Sequence, residues 1–323
     1  MNMKKKIRCW FTDFWTEDAY KKESSLKILF SEYDIILDAE HPDYLFYSCF
    51  GYEHLKYGHC IKIFWSGENI IPDLNLCDYA IALTDTVCHD RIFRFYLTTI
   101  YDSDTAYLKM DREKLLQRKF CNFVYSNTKW SAPYREQIFR KLSEYKRVDS
   151  GGGFLNNIGY NVSDKLKFQS EYKFSLAIEN SSLYGYTTEK IYHPFLSRSL
   201  PVYWGNPNVG AYYNTGSFVD VMSFPSLEDA IEEIIRLDKD DEAYLEKVTT
   251  PFWPYGETFE DFCFQERKKL LAFYSHIFEQ SLSDARRKTD YGYNKGYVKY
   301  RKIGGKAESF YLKLASYYMK IKK

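Results

Sequence analysis

Residues 172–205 read YKFSLAIENSSLYGYTTEKIYHPFLSRSLPVYWG. An apolar run at 172–178 gives way to a loop of Asn, Ser, Gly and Tyr. A helix-compatible stretch starts near Thr187, and a second apolar run follows at 200–203. Strand, loop, helix, strand is a βαβ unit, which lays its two strands parallel with the helix crossing between them. The loop 179–186 can bring backbone N–H groups close to a ligand. The helix start adds the positive end of its dipole, with Lys190 in the first turn. A cation and free N–H groups at a helix start suit a diphosphate, and Glu189 beside them suits the hydroxyls of a ribose. The same spacing fits a capped helix with a solvated Glu–Lys pair, and spacing alone leaves both open.

Outward from this unit, short apolar runs alternate with helical stretches in both directions. Strands are expected at 6–11, 34–37, 44–50, 60–65 and 79–83, with a helix over 24–33. The pattern restarts with a strand at 120–125 and a helix over 132–145. After the glycine triplet Gly151, Gly152 and Gly153 and the βαβ unit come a strand at 217–221, a helix over 226–237 and a long helix over 259–279. Two successive α/β halves separated near 102–119 predict two Rossmann-like domains facing a cleft. Ligands of such sheets bind beyond the carboxyl ends of the strands. A length of 323 residues fits two domains.

The formal charge of +1 is unevenly placed. Residues 283–323 hold 12 Lys/Arg and 3 Asp/Glu, a net of +9, which leaves 33 basic and 41 acidic residues, a net of −8, for 1–282. An acidic body excludes a wholly basic nucleic-acid binder. The last segment, 307–323, is helix-compatible. It has Phe310, Leu314, Tyr317, Tyr318 and Ile321 on one side and Lys313, Lys320 and Lys323 elsewhere, a pattern that suits a membrane surface. A soluble tail is the plainer alternative. No run reaches the roughly 18 uncharged apolar residues of a membrane span. The basic start is interrupted by Asp13 and Glu17 without a signal-peptide cleavage site. The seven cysteines form no C-x-x-C and read as buried, reduced thiols of a cytoplasmic protein.

The run E-N-S-x-x-x-x-Y-x-T-E-K-I, followed by P-V-Y-W-G, resembles the signature of the α1,3/1,4-fucosyltransferases, glycosyltransferase family 10, and above all its bacterial members. KFCNFVYSN (119–127), VDSGGGFLNNIGYNV (148–162), residues 217–221 and FWSGENIIPDLNLCDYAIA (64–82) extend the likeness over roughly 5–275. The resemblance implies a GT-B fold with three parts. These are an acceptor-binding domain at 1–118, a GDP-fucose-binding domain with a closing helix at 119–282, and a basic amphipathic tail at 283–323. It implies inverting transfer of L-fucose from GDP-fucose to the GlcNAc of an N-acetyllactosamine-type or lipopolysaccharide acceptor, with an α1,3 linkage and a Lewis-type product. An α1,4 linkage, another nucleotide-sugar donor and a non-catalytic sugar-nucleotide binder are the alternatives.

In that resemblance Glu68 of S-G-E-N matches the family's proposed base, and Arg135 and Lys190 match its diphosphate-binding cations. Glu189 matches the ribose contact, and Asn180 and Tyr186 match further donor positions. Gly151, Gly152 and Gly153 are expected to let the backbone pass close to the nucleotide. Side chains rather than a divalent metal would balance the diphosphate charge, so neither metal nor cofactor is expected beyond the donor substrate. Partners would be GDP-fucose, a glycan acceptor and, through the tail, the inner face of the cytoplasmic membrane, with no nucleic acid. Pro194 departs from a plain helix after Thr187. It cannot donate to the carbonyl of Lys190, so a kink or a short first segment is expected. Phe14, Trp15, Tyr47, Phe50 and Trp65 are candidates to stack on sugar rings, with core packing the fate of most.

Overall fold

The computed structural model describes residues 4–95, 110–126, 131–253 and 258–321. Asn127, most of the stretch between the halves and the tail side chains of Lys313, Tyr317, Tyr318, Lys320, Ile321 and Lys323 lie outside the described residues. The chain forms two compact units, one of residues 1–82, 86–95 and 267–323 and the other of 83–85 and 96–266.

The first unit holds a sheet of β1 (Lys6–Thr12), β2 (Asp34–Leu37), β3 (Tyr44–Tyr47), β4 (Ile61–Ser66), β5 (Tyr79–Ala82) and β6 (Ile92–Arg94). All its pairs are parallel, in the order β2-β1-β3-β4-β5-β6. Every residue of β3, β4 and β5 is buried, as expected of parallel strands covered on both faces. Helix α1 (Ser24–Glu32) crosses from β1 to β2. The strand expected over 44–50 ends at Tyr47. Phe50 N–H bonds back to the carbonyl of Asp13, a residue with φ of 60°, and the Asp13 carboxylate accepts from the amides of Glu53 and His54.

The second unit contains α2 (Arg112–Leu116), β7 (Lys119–Phe123), α3 (Tyr134–Tyr145), β8 (Val148–Ser150), α4 (Lys165–Gln169) and β9 (Tyr172–Ile178). It continues with α5 (Glu189–Leu196), β10 (Leu200–Trp204), β11 (Val219–Asp220), α6 (Leu227–Lys239) and α7 (Asp241–Thr249). Its parallel sheet has the order β11-β10-β9-β7-β8, and β9 and β10 are buried throughout. Ile138, Leu142, Ala230 and Ile234, spaced one helical turn apart in α3 and α6, close one face of the sheet. Ile191, Tyr192 and Phe195 of α5 join the cluster on Ala177 and Tyr203. The expected strand 217–221 is reduced to two residues between single turns at Thr215–Ser217 and Val221–Ser223. The second turn is held by the Asp220 side chain on the Met222 amide. Helix α5 runs through Pro194, rather than ending in a short first segment before it, and stops two residues later at Leu196.

Helix α8 (Phe259–Phe278), α9 (Leu282–Ala285) and α10 (Tyr293–Ile321) complete the chain. The expected divisions at 119–282 and 283–323 differ from the units, because the chain from Arg267 onward packs with the first one. The reason is burial. Tyr274, Ile277 and Phe278 are fully buried, Tyr274 O–H donates to the Ser25 carbonyl, and Phe278 packs edge-on against Tyr44. Each such side chain stabilises by roughly 1.5–3 kcal/mol. Past them, buried Asp78 accepts from the amides of Lys62, Arg287 and Lys288, and Arg287 pairs with Asp90 at 2.6 Å. The tail helix begins at Tyr293 rather than near 307, and it is tied down. Tyr297 bonds Asp73, Tyr52 bonds Glu308, and Gly305 lies against the Tyr52 ring. No described helix is long and apolar enough to cross a membrane.

Gly152 follows β8 at a point where a Cβ would collide with the backbone of Tyr125, just beyond β7. The Gly152→Ala chain is therefore expected to lose about 1–3 kcal/mol through overpacking. Urea unfolding of the purified chain measures it, and an unchanged midpoint refutes the close approach.

Candidate active site

The carboxyl ends of β7, β8, β9 and β10 come together in the second unit. Glu179, directly after β9, organises them. It is 0% exposed, and its amide donates to the Trp204 carbonyl at 2.9 Å. Its carboxylate accepts from Thr188 N–H at 2.7 Å, from the Thr188 hydroxyl at 2.8 Å and from Lys190 Nζ at 3.3 Å. Thr188 is also the N-cap of α5, so one threonine fixes the helix start and hands it to the buried acid. Lys190 Nζ lies 2.9 Å from the Thr188 hydroxyl and 3.5 Å from Glu189. Gly205, of P-V-Y-W-G, leaves the space that the Glu179 side chain occupies.

Arg135 and Asn180 meet on the other side of this strand end. Arg135, in the first turn of α3, is 2% exposed, and one amino group donates to the Ile178 carbonyl at 3.1 Å and to Asn180 Oδ1 at 2.8 Å. The Arg135 guanidinium lies over the Tyr125 ring, 4.2 Å from its centre. The Asn180 carbonyl accepts from Ala132 N–H. Tyr186 is buried, and the loop before it is shaped by Gly185, whose φ of 87° and close approach to Asp85 leave no room for a side chain. Buried Asn206 binds this loop to the end of β10. It accepts from Gly185 N–H and donates to the Thr187 hydroxyl. The glycine triplet is at the end of β8, but the close contacts that require glycine there are with the protein's own residues 125 and 162.

Lys165, at the start of α4, interacts electrostatically with Glu189, Lys190, Glu179 and Arg135. Three cations, Arg135, Lys165 and Lys190, thus stand against two carboxylates, Glu179 and Glu189, one positive charge in excess. Burial works to raise Glu189, but Lys190 and Lys165 hold it down at about 2. Burial raises Glu179, with Lys190 opposing, and burial works against the Lys190 ammonium while Glu179 and Glu189 raise it strongly. Burial, reinforced by Lys165, lowers His193 to about 4 and keeps it neutral at pH 7. Glu179, Thr188, Asn206 and Lys165 escape a reading of the sequence as site residues. The signal for Glu179 is an acid directly after seven buried residues, but only the packing shows what it holds.

Glu68 lies in the first unit, in a turn just beyond β4. Its amide donates to the Ser66 hydroxyl at 3.0 Å and its carbonyl accepts from Ile70 N–H at 2.8 Å. The same end of that sheet carries aromatics. Trp15 and Phe50 are 46% and 49% exposed and meet edge to face at 5.9 Å, with buried Trp65 behind Trp15 and Phe14. Tyr47 instead belongs to the core, stacked on His54 at 4.1 Å. A cavity of about 420 Å³ opens beside Phe50, lined by Cys49, Ile70, Ile71 and, from α10, Arg301 and Glu308. Burial raises the Cys49 thiol, hydrogen bonds with Ser66 and Ser48 oppose this, and the Glu68 charge adds to it, which puts Glu68 near the cavity.

Two parallel sheets of this kind, with a cation-rich cradle at the strand ends of the second, have the make-up of the GT-B fold. A sequence model of the α1,3-fucosyltransferase FucT N-terminal domain matches residues 9–101, and the C-terminal model of glycosyltransferase family 10 (fucosyltransferase) matches 115–253. The chain is 33% identical over 264 residues to the α-(1,3)-fucosyltransferase FucT of Helicobacter pylori, an alignment that takes in 70% of this chain and 54% of that protein. The chain thus spans about half the length of that relative. The crystal structure of an α1,3-fucosyltransferase superposes with a TM-score of 0.75 at 30% identity, covering 86% of this chain and 92% of the other. Its form with GDP-fucose gives 0.73 at 29% identity, covering 87% and 93%. The chain belongs to glycosyltransferase family 10, the fucosyltransferases.

Lys190→Ala would leave buried Glu179 and half-buried Glu189 without their shared cation. We expect it to lose roughly 3–5 kcal/mol near pH 7.5. Burial already raises Glu179 above the ordinary 4.5 against the pull of Lys190, and without that cation it would rise further. The folded variant would then bind protons that the unfolded chain releases, so its deficit narrows as pH falls toward about 5. Urea midpoints of both chains across that range measure this, and a deficit independent of pH would contradict the assignment.

Proposed function

We propose that the chain is an inverting α1,3-fucosyltransferase that uses GDP-L-fucose. The observation that carries the donor half is the Glu179–Thr188–Lys190 network, which fixes a lysine and a helix start beside Arg135 and Lys165. An excess cation and the N-terminal end of α5 favour a diphosphate. Glu189, ionised at any ordinary pH, accepts hydrogen bonds from the ribose hydroxyls. Asn180 and Tyr186 shape the donor loop.

Transfer takes one displacement. Glu68 removes the proton from the acceptor hydroxyl as its oxygen attacks the fucose anomeric carbon. The bond to the diphosphate breaks on the opposite face, and GDP leaves with the electron pair. Lys190, Arg135 and Lys165 stabilise the charge that develops on the departing diphosphate, the role a divalent metal fills elsewhere. Attack opposite the leaving group turns the β-linked donor into an α-linked product. The acceptor in this reading is GlcNAc of an N-acetyllactosamine-type or lipopolysaccharide glycan, giving a Lewis-type product. Trp15 and Phe50 offer it a sugar-stacking face, and the neighbouring cavity offers polar groups. Exposed Phe310, Tyr311 and Leu314 on α10 are the side chains we assign to a membrane surface, on the cytoplasmic side.

Glu68→Gln is expected to lower turnover by about 10²–10⁴-fold while GDP binding stays within a factor of two or so. Transfer from GDP-fucose to N-acetyllactosamine, with linkage and anomeric configuration read by NMR, tests the reading. A β-linked product, or full activity in the variant, overturns it. Trp15→Ala is expected to raise the acceptor KM by roughly tenfold, a loss of the size of one stacking contact, and to leave the donor KM unchanged. Steady-state kinetics in each substrate separate the two, and a change confined to the donor KM would sink the assignment.

A further inference from the structure

The first unit holds a second cavity, of about 370 Å³, that none of this chemistry uses. It falls within the roughly 300–1,000 Å³ of small-molecule sites. Lys62, Lys288, Lys295, Lys299 and Lys302 line it, and among its described lining residues Asp290 is the one carboxylate. Five cations against one anion leave four positive charges around one small volume.

The site is built into the fold at two points. Lys62 is in β4 and only 4% exposed, with Nζ donating to the His54 carbonyl at 2.7 Å and further N–H donors to place. Lys288 is buried too, with Nζ 2.9 Å from Asp290 and its amide on Asp78. The other three lysines follow the i, i+4, i+7 spacing on α10 and so share one helix face. Like charges at that spacing repel one another, and here the face they share also looks onto two buried ammonium groups. Burial first, and then the charges of Lys288 and Lys302, lower the Lys62 ammonium to about 8, with Cys60 and Asp78 opposing. A bound anion would relieve that strain. The site is also remote from the transfer chemistry within its own sheet. Lys62 stands four residues, or about 13 Å, before Ser66 at the carboxyl end of the same strand.

We propose that this lysine-lined cavity binds a phosphate-class polyanion, a diphosphate or phosphate ester. A single carboxylate would leave most of the charge unbalanced. A di- or trianionic phosphate group balances it and offers several acceptor oxygens to compact ammonium donors. The same chemistry is presented by a soluble diphosphate and by an anionic lipid headgroup, and the experiment separates them.

The 323-residue chain is titrated calorimetrically with pyrophosphate and without GDP, which is itself a diphosphate ester that the lysine pocket would take. The donor cradle proposed above is disabled instead by Lys190→Ala in a parallel titration, and that choice is the one point at which this inference rests on that reading. Binding should weaken at least tenfold in the Lys295→Ala/Lys299→Ala/Lys302→Ala chain, whose substitutions are all at exposed positions, and in Lys62→Met. It should persist in Lys190→Ala. In parallel, wild type and both pocket variants are co-sedimented with phosphatidylglycerol and phosphatidylcholine vesicles. Pyrophosphate binding lost in the pocket variants supports a soluble ligand. Pelleting with phosphatidylglycerol alone, lost in the triple variant and in Lys62→Met, supports a headgroup. Pyrophosphate and vesicle binding equal in wild type and the triple variant overturns the site, as does pyrophosphate binding that vanishes in Lys190→Ala alone.

Discussion

A carboxylate with no access to water governs the second unit. Glu179 carries its charge into the interior at the end of β9, where desolvation alone would expel it or protonate it. It is tolerated because Thr188 gives it two hydrogen bonds and Lys190 gives it a cation. Those partners must then stand where they do. The helix start, the orientation of Lys190 and the path of the loop from Asn180 to Thr187 all follow from satisfying one acid. Gly205 keeps its place clear, and Asn206 locks the loop from the other side. A buried charge of this kind is weak evidence for stability but strong evidence for a fixed geometry, which a site for a leaving diphosphate requires.

The first unit uses the same device with a different purpose. Asp78, also without exposure, collects three backbone amides, one from β4 and two from Arg287 and Lys288. It thereby ties residues 287–288 to the sheet of the first unit. With Tyr274, Ile277 and Phe278 buried beside the sheet, the C-terminal segment becomes part of the domain that the N-terminus begins. The basic stretch is therefore not simply an appendage. Its first half closes the fold and lines two cavities, and its second half turns exposed aromatic groups outward. The uneven charge acquires a location as well, since four of the twelve basic residues of 283–323 surround one pocket together with Lys62.

Most of the architecture was legible in the order of residues. Parallel strands buried on both faces have to be near-continuous apolar runs, and 172–178, 200–204 and 61–66 are. The strands that escaped were the short ones. Ile92–Arg94 is half-buried and Val148–Ser150 is three residues long with an aspartate at its centre, so neither carries a periodic signal. The expected strand ends also ran long at 44–50 and 217–221, where side-chain carboxylates of Asp13 and Asp220 capture backbone amides and turn the chain.

For the site, the sequence by itself determined the family, the βαβ unit, the position of Lys190 in a first turn and the charge asymmetry. Each of these depends on neighbours along the chain or on a motif of fixed spacing. Only the tertiary structure decided which groups share a dielectric. Arg135 and Asn180, 45 residues apart, meet at 2.8 Å, and Lys165 joins Glu189 from a different helix. The glycine triplet reads as room for a ligand, and packing adds that Gly152 makes room for Tyr125. Spacing in sequence fixes what lies within one helical turn or one strand. Desolvation and charge pairing act through space, so the burial of Glu179 and the crowding of five lysines appear only once the chain has folded around them.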